Sequence, residues 1–281
     1  MVEAYRPQNY KQALELMGEE RVVPFAGGTD LMVKSGGLSG CAVELDCPAM
    51  FIGHLEELKK VEADENCIRI GAACTYAQIL ENRSVPGILK TAVLRLATPA
   101  IRNAGTIGGN ICSASPAGDT LPVLYALDAS VVLESVNDTR TLPIREFITG
   151  PGETFIKNIE LLKEVVIPNK NFDAVFYRKV GTGVVNSLSK VSFTGLAVIE
   201  EGAVSGIRVS FGAVGPTVVR SKKIEDHITG KNLLEIKKMV PQLARSYSAL
   251  IDPLDDQRST ACYRKSVSLR LLEHFLRNVL K

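Results

Sequence analysis

The chain has 281 residues, 46% of them hydrophobic, enough to bury a sizeable core in one large domain or two of ordinary size. Lys plus Arg number 33 against 31 Asp plus Glu, with no basic block and no basic stripe studded with aromatics, which excludes the footprint of a nucleic-acid binder. No long apolar run could span a bilayer and the N-terminus lacks the cationic start and apolar core of a signal peptide, so the expectation is a soluble cytoplasmic protein.

In chain order, the first half predicts a helix in "NYKQALELMG", a strand in "RVVPF" and a Gly-rich turn "AGGT". A short helix "DLMVKS", strands "CAVELD" and "NCIRIGAAC" and a helix "TYAQILEN" follow. "PGILKTAVLRLA" reads as a helix with Pro86 at its tolerant first turn. The stretch 98–120, "TPAIRNAGTIGGNICSASPAGDT", is Gly-rich, and its part "TIGGNICSASPAGD" is too polar and flexible for a helix or buried strand and is expected to be a long functional loop. "LPVLYALDASVVLES" gives a helical turn or two and a strand, and "LLKEVVIP" a strand ended by Pro168.

From about Asn169 the texture becomes antiparallel. "DAVFYRKV" and "KVSFTGLAVIEEGAVSGIRVSFGAVG" alternate apolar and polar residues around a turn, as hairpin strands do. Two helical patterns follow: "NLLEIKKMVPQLARSYSAL", which Pro241 should kink, and "STACYRKSVSLRLLEHFLRNVL", whose leucines fall on one packing face.

The chemistry-bearing residues are few. Cys41, Cys47, Cys67, Cys74, Cys112 and Cys262 have neither zinc-site nor iron–sulfur spacing, so most are expected as core or turn residues and any metal cluster must come from a partner. His54, His227 and His274 have no ligand-spaced companions and read as structural or solvated. No acid–base dyad or nucleophile is expected. Gly27 and Gly28 after a strand, with Thr29 or Asp30 capping the next helix, would aim bare amides at an anion such as a phosphate. No phosphate-loop Lys follows, and the Rossmann "GxGxxG" is missing. Gly108, Gly109, Asn110, Ser113, Ser115 and Asp119 form a second such stretch, suited to the oxygens of a dinucleotide.

"PFAGGTDL" together with "TIGGNICSASPAGD" resembles the paired FAD-binding loops of the molybdenum hydroxylases, the flavin subunits of xanthine dehydrogenase and of related nicotinate, carbon monoxide and aldehyde dehydrogenases. The resemblance continues through "LLKEVVIP", "FYRKVGTGVVNSLSKVSF" and "QRSTACYRKSVSLRLL", in the family's order. It implies an α+β chain. A two-part FAD-binding domain of the vanillyl-alcohol-oxidase (PCMH) type would occupy residues 1–168, with subdomains of about 1–55 and 56–168. A smaller C-terminal domain, an antiparallel sheet packed by helices, would occupy 169–281.

It also implies a function. The chain would be the FAD-binding electron-transfer subunit of a complex, with xanthine as the first expectation. A large partner would carry the molybdenum cofactor and a small one 2Fe-2S clusters, and NAD or another acceptor would take the electrons. A related nicotinate, carbon monoxide or aldehyde dehydrogenase subunit, a stand-alone flavin reductase or oxidase, and a subunit with a decayed nucleotide site are the alternatives. By the same resemblance Ala26, Gly27, Gly28, Thr29, Asp30 and Leu31 would cradle the pyrophosphate. Thr106, Gly108, Gly109 and Asn110 would line the diphosphate and ribityl chain, with Ser115 in the same stretch and Asp119 on a ribose or polar edge. Leu162 would press on the flavin or adenine face and Lys179 would sit close to the isoalloxazine, its cation favouring the reduced ring. Gly183, Asn186 and Ser187 stand where the family keeps charges, which leaves NAD as acceptor in doubt.

Overall fold

The computed structural model describes residues 3–36, 45–183 and 187–281. The chain begins with β1 (Ala4–Tyr5), α1 (Tyr10–Glu19), β2 (Val23–Phe25), α2 (Leu31–Ser35) and β3 (Ala49–Phe51). Tyr10, Ala13, Leu14 and Met17 recur at helical spacing on α1, so one face is buried, and Asn9 caps the helix by accepting the Gln12 amide. The expected strand "CAVELD" lies mostly outside the described residues. Next come β4 (Val61–Ala63), β5 (Cys67–Gly71), α3 (Tyr76–Glu81), α4 (Gly87–Leu94), α5 (Pro99–Ala104), α6 (Ile107–Ser113) and α7 (Leu121–Ala126). The first half closes with β6 (Ser130–Glu134), β7 (Thr139–Pro143), α8 (Ile144–Phe147), β8 (Ile148–Gly150), β9 (Glu153–Thr154) and β10 (Leu161–Pro168).

By compactness the chain divides into two units, the first made of residues 1–85, 97–114 and 129–168. It holds a parallel sheet of order β1-β3-β2 and an antiparallel one of order β4-β5-β10-β6-β7. α1 buries its apolar face with Met50, Ile52, Leu55, Leu58, Ala73 and Leu161. β10 is the central strand of the larger sheet, with Val165 and Ile167 fully buried, which is why "LLKEVVIP" reads as an apolar run.

The second unit contains β11 (Ala174–Val180), β12 (Val191–Glu200), β13 (Ala203–Gly212), β14 (Val219–Arg220), α9 (Lys222–Ile228), α10 (Leu233–Ser248) and α11 (Ala261–His274). The four strands pair antiparallel in chain order, and β12 turns into β13 at Glu201 and Gly202, both in the left-handed region that a two-residue hairpin turn demands. One sheet face, with Phe193 and Phe211, packs against Ile236, Val240, Leu243, Tyr247, Leu272 and Phe275. Each such aromatic or aliphatic side chain contributes about 1.5–3 kcal/mol on burial. A Cβ on Gly195 would lie 2.7 Å from the Phe275 ring, so that glycine admits α11 to the sheet. α10 runs unbroken through Pro241, and α11 ends in a wide turn over Phe275–Val279.

Residues 86–96 and 115–128, carrying α4 and α7, belong to this second unit although they precede residue 169. All six residues of α7 are buried, and Ser210 Oγ donates to the Pro122 carbonyl at 2.7 Å, fixing α7 to the other face of the sheet. Arg220 and Arg208 secure its C-terminal end. Arg220 reaches the Tyr125 carbonyl, Asp128 and both oxygens of Glu225, and Arg208 reaches the Ala126 carbonyl and Asp128.

Candidate functional site

β2 delivers the chain into Ala26–Leu31, in the first unit. A Cβ on Gly27 would stand 1.9 Å from the Ala104 carbonyl oxygen, and one on Gly28 would stand 2.2 Å from the Phe25 ring. Gly28 also has φ +68°. Both glycines are therefore demanded by the chain's own packing as well as by any ligand. The backbone N–H groups of Gly27, Gly28, Thr29, Asp30 and Leu31 donate to no acceptor among the described residues. Five consecutive unused donors at a half-exposed turn form a donor set that suits a diphosphate.

The expected capping by Thr29 or Asp30 is not made. Asp30 stands at the N-cap of α2 with helical backbone angles and no capping bond. Its carboxylate instead accepts from Ser113 Oγ at 2.6 Å and pairs with Lys34 at 2.8 Å. Burial pushes the carboxyl up, but those two partners outweigh it and hold Asp30 below its ordinary range. The two glycine-rich segments are thus joined within one unit, at Gly27 against Ala104 and at Asp30 against Ser113.

The stretch 98–120, part of it expected as a long functional loop, is in fact two short helices over most of its length, α5 and α6. Thr98 and Thr106 cap them, and Ala114 ends α6 with φ 43°. The reason is packing that a composition argument does not see. Ile107 and Ile111 are fully buried, and Gly108 lies against Ala72, where a Cβ would fall 2.6 Å from that residue's Cβ and carbonyl oxygen. The opening amides of α6 need no ligand: Ile107 donates to Cys74 O, Gly108 to Ala72 O, Gly109 to Thr106 Oγ1 and Asn110 to Thr106 O. Gly109 itself is exposed, so its bare Cα surface is what this segment offers, beside the half-exposed Asn110.

Leu162, on the central strand β10, is only 5% exposed, which leaves little of it to press on a ring. The remaining expected residues lie in the second unit. Ser115 Oγ accepts the Ala117 amide at 3.3 Å. Asp119 and Lys179, which the sequence treats as separate contacts, form one buried ion pair of 2.6 Å, both side chains 8% exposed. Lys179 also donates to the Arg95 carbonyl at 3.1 Å, and Ser189 Oγ donates to the other Asp119 oxygen at 2.5 Å. Burial pushes the Asp119 carboxyl up, against the pull of Lys179 and Ser189. The cation expected beside the flavin is therefore compensated within its own unit. Lys34 and Ser189 were not among the expected residues, and Ser113 was expected as part of the second stretch but not as the partner of Asp30. Ser113 and Ser189 meet their partners across 83 and 70 residues of chain, and no local pattern signals such pairs.

Gly183 is exposed and its carbonyl accepts from Ser187 Oγ at 2.8 Å, while Asn186 is outside the described residues. Of the five described cysteines, expected mostly as core or turn residues, Cys74 is buried, Cys47 and Cys67 are half-buried, and Cys112 and Cys262 are exposed. His54 Nε2 lies 2.8 Å from the Pro7 carbonyl, and the His274 ring lies 5.3 Å from that of Phe176, tilted by 52°. Arg264, in the "STACYRKS" stretch, donates to the Lys190 and Ala213 carbonyls and pairs with Asp256, which gives that motif a structural task. Among the described residues no group of three or more His, Cys, Asp or Glu could hold a metal, and no helix is long and apolar enough to cross a membrane.

Residues 1–170 match the family model described as the FAD binding domain in molybdopterin dehydrogenase. The chain belongs to this family. Residues 179–279 of the flavin subunit match the CO dehydrogenase flavoprotein C-terminal domain. It is 30% identical to the glyceraldehyde dehydrogenase medium chain of Sulfolobus acidocaldarius, over 93% of this chain and 92% of that one. It is 27% identical to the putative xanthine dehydrogenase FAD-binding subunit of Escherichia coli, over 79% and 77%. Among solved structures it is similar to a chain of the carbon monoxide dehydrogenase of Hydrogenophaga pseudoflava, with TM-score 0.88 and 25% identity, covering 99% of this chain and 96% of that one. The fold is the α+β, two-part FAD-binding fold of these oxidoreductase flavoprotein subunits, and FAD is its cofactor.

Proposed function

We propose that the chain is the electron-transfer link of a molybdenum hydroxylase complex. It takes electrons from 2Fe-2S clusters of a small partner subunit, which receives them from a large molybdenum-cofactor subunit, and passes them to NAD or another acceptor. The observation that carries this reading is the run of five unused amides at Gly27–Leu31, on a chain whose first 170 residues match an FAD-binding domain. When bound, FAD supplies the exchange between two-electron and one-electron transfer. The protein's part is to hold and orient it. Ala26–Leu31 hold the diphosphate through backbone donors. Thr106 and Gly108 set the position of α6, and Gly109 and Asn110 present its accessible surface. Ser115, Asp119 and Lys179 keep the roles that the resemblance gives them, whereas Leu162, 5% exposed, has little surface to offer a ring. Residues 1–168 and 169–281 are the two domains, a division that the family boundaries at 170 and 179 support.

Xanthine or another purine is the proposed substrate of the complex, supported by the xanthine dehydrogenase relative. The glyceraldehyde and carbon monoxide dehydrogenases support the alternative equally, because the hydroxylated substrate binds in a partner chain. The proposed location is the cytoplasm, from composition alone. The test is to purify the chain, identify any flavin that acid releases, and mix the loaded chain with reduced iron–sulfur partner under anaerobic conditions. FAD bleaching by the reduced partner is the expected result, and bleaching by NADH alone would mark NAD as the acceptor, because hydride exchange between the two runs in both directions. Rapid turnover with NADH by the chain alone would favour a stand-alone reductase, and a folded chain that binds no FAD with or without partners would sink the reading.

A further inference from the structure

Lys190 fixes the residue before it. Its amide donates to the Val180 carbonyl at 2.8 Å, and its own carbonyl accepts from Arg264 at 3.0 Å. Ser189, with no exposed surface, is thereby held just before β12, and its Oγ donates to Asp119 Oδ1 at 2.5 Å. The segment carrying Asp119 is tied to the same frame, because the Ala213 amide donates to the Pro116 carbonyl at 2.8 Å while Arg264 donates to the Ala213 carbonyl. Lys179 takes the other carboxylate oxygen at 2.6 Å. Around this pair the other described titratable or charged groups are Tyr177 on β11, whose hydroxyl donates to the Asp119 carbonyl at 3.3 Å, and Arg95 at the end of α4, whose carbonyl accepts from Lys179. Burial and the Asp119 charge push the Tyr177 hydroxyl well up, so it stays neutral, and the guanidinium stays charged.

The Ser189 hydroxyl donates to no other acceptor among the described residues. It therefore favours the ionised carboxylate, since a neutral Asp119 would take the acceptor away from the Ser189 proton. Burial pushes the Asp119 carboxyl up, and Lys179 and Ser189 pull against it without fully offsetting it, so it stays above its ordinary range. Resting on the reading that Lys179 sits beside the isoalloxazine, we infer that Ser189 is a positioning residue for the flavin: it fixes the Asp119 carboxylate opposite Lys179 and keeps it ionised, so that the pair stays neutral as pH falls. Without the hydroxyl, Asp119 protonates at higher pH and leaves Lys179 as a net cation beside the ring. That cation favours an anionic reduced flavin and raises its potential.

Two measurements on the full chain test this. In the FAD-free chain, infrared difference spectra across pH, with Asp119→Asn identifying the Asp119 band, should show the carboxylate of Ser189→Ala protonating at higher pH than that of wild type. The displacement should be roughly tenfold or more in proton concentration, the effect of one hydrogen bond to a charged group. Titrations that coincide over the folded pH range would overturn the inference without reference to any flavin. In the FAD-loaded chain, the two-electron midpoint potential of Ser189→Ala should exceed that of wild type between the two carboxyl midpoints and equal it above them. In an Asp119→Asn background Ser189→Ala should change nothing. An effect undiminished without the Asp119 carboxylate, or a potential that ignores Ser189 while the carboxyl responds, would also overturn it. A folded wild-type chain that binds no FAD would instead count against the proposed function and leave the Ser189–Asp119 titration standing.

Discussion

Adjacent glycines on α6 should respond in opposite ways to the same small change. At Gly108 an added Cβ meets Ala72 Cβ and O at 2.6 Å and Cα at 3.0 Å. The oxygen has little freedom to retreat, because it accepts the Gly108 amide at 2.9 Å. Overpacking of this kind costs ~1–3 kcal/mol, and the gain in helix propensity from Gly to Ala returns about 1. Gly108→Ala should therefore be destabilised by up to about 2 kcal/mol. At exposed Gly109 the new Cβ meets only Thr106 Oγ1, at 3.0 Å, and that oxygen is the cap receiving the Gly109 amide at 3.1 Å. A strained cap worth ~1 kcal/mol and a propensity gain of about the same size leave Gly109→Ala near neutral. Urea denaturation followed by far-ultraviolet circular dichroism reads the difference as a lowered midpoint for Gly108→Ala alone. Flavin content reads the other half: Gly109→Ala, and more so Gly109→Val, should fold and lose FAD. Equal midpoints for the two alanine variants would refute the packing argument, and full FAD in Gly109→Val would remove that glycine from the cofactor's surface.

Glu225→Gln should cost about 3 kcal/mol in unfolding experiments, because it removes the carboxylate that accepts two nitrogens of Arg220 at a position only 3% exposed. Lys179→Met leaves Asp119 buried without its cation and should destabilise by about 3–5 kcal/mol, with much of the loss recovered in Lys179→Met/Asp119→Asn; equal losses in both would deny the pair its importance. In acid, Glu160 gives a pH dependence of known sign. Burial pushes its carboxyl up, but Arg140 and the Lys157 amide hold it below the ordinary range. Its contribution is therefore present above the unfolded-state value of about 4.3 and lost as pH falls through the depressed folded value, so Glu160→Gln should flatten the stability profile below about pH 4.5.

Much of the first helix was legible because its burial is periodic: Tyr10, Ala13, Leu14 and Met17 announce α1. The hairpin was legible from two β-rich runs around the turn Glu201–Gly202, although β12 is buried on both faces from Val191 to Ala197 and its burial does not alternate. What was not legible is where short segments pack. α4 and α7 are local helices in sequence, yet α7 is buried throughout because β12 and β13 lie beneath it, more than sixty residues later. Stretch 98–120 was misread for a related reason. Its glycines and serines look like loop material until Ala72 and Cys74 are known to stand opposite Gly108 and Ile107 and to accept their amides. The candidate site divides along the same line. The amide run after β2 follows from local glycine chemistry, whereas Ser113 on Asp30 and Ser189 on Asp119 are products of tertiary structure alone.

Charge compensation in the second unit changes what Lys179 can do for a reduced flavin. A lone ammonium near the ring would favour an anionic reduced state, but with Asp119 at 2.6 Å the pair presents a dipole in place of a net charge. Removing the lysine is then an ambiguous experiment: the orphaned carboxylate, 7% exposed, takes up a proton, and the net charge returns to zero. Removing the acid is the decisive one, read at a pH low enough to keep the lysine protonated. In Asp119→Asn the shape is kept, Ser189 still has an oxygen to donate to, and Lys179 is left as an uncompensated cation. If Lys179 stands beside the isoalloxazine, as proposed, the two-electron midpoint potential of bound FAD should rise in Asp119→Asn and fall back in Asp119→Asn/Lys179→Met. A potential identical in wild type, Asp119→Asn and the double variant, with FAD retained in all three, would mean that the pair serves only to join β11 to the 115–120 segment.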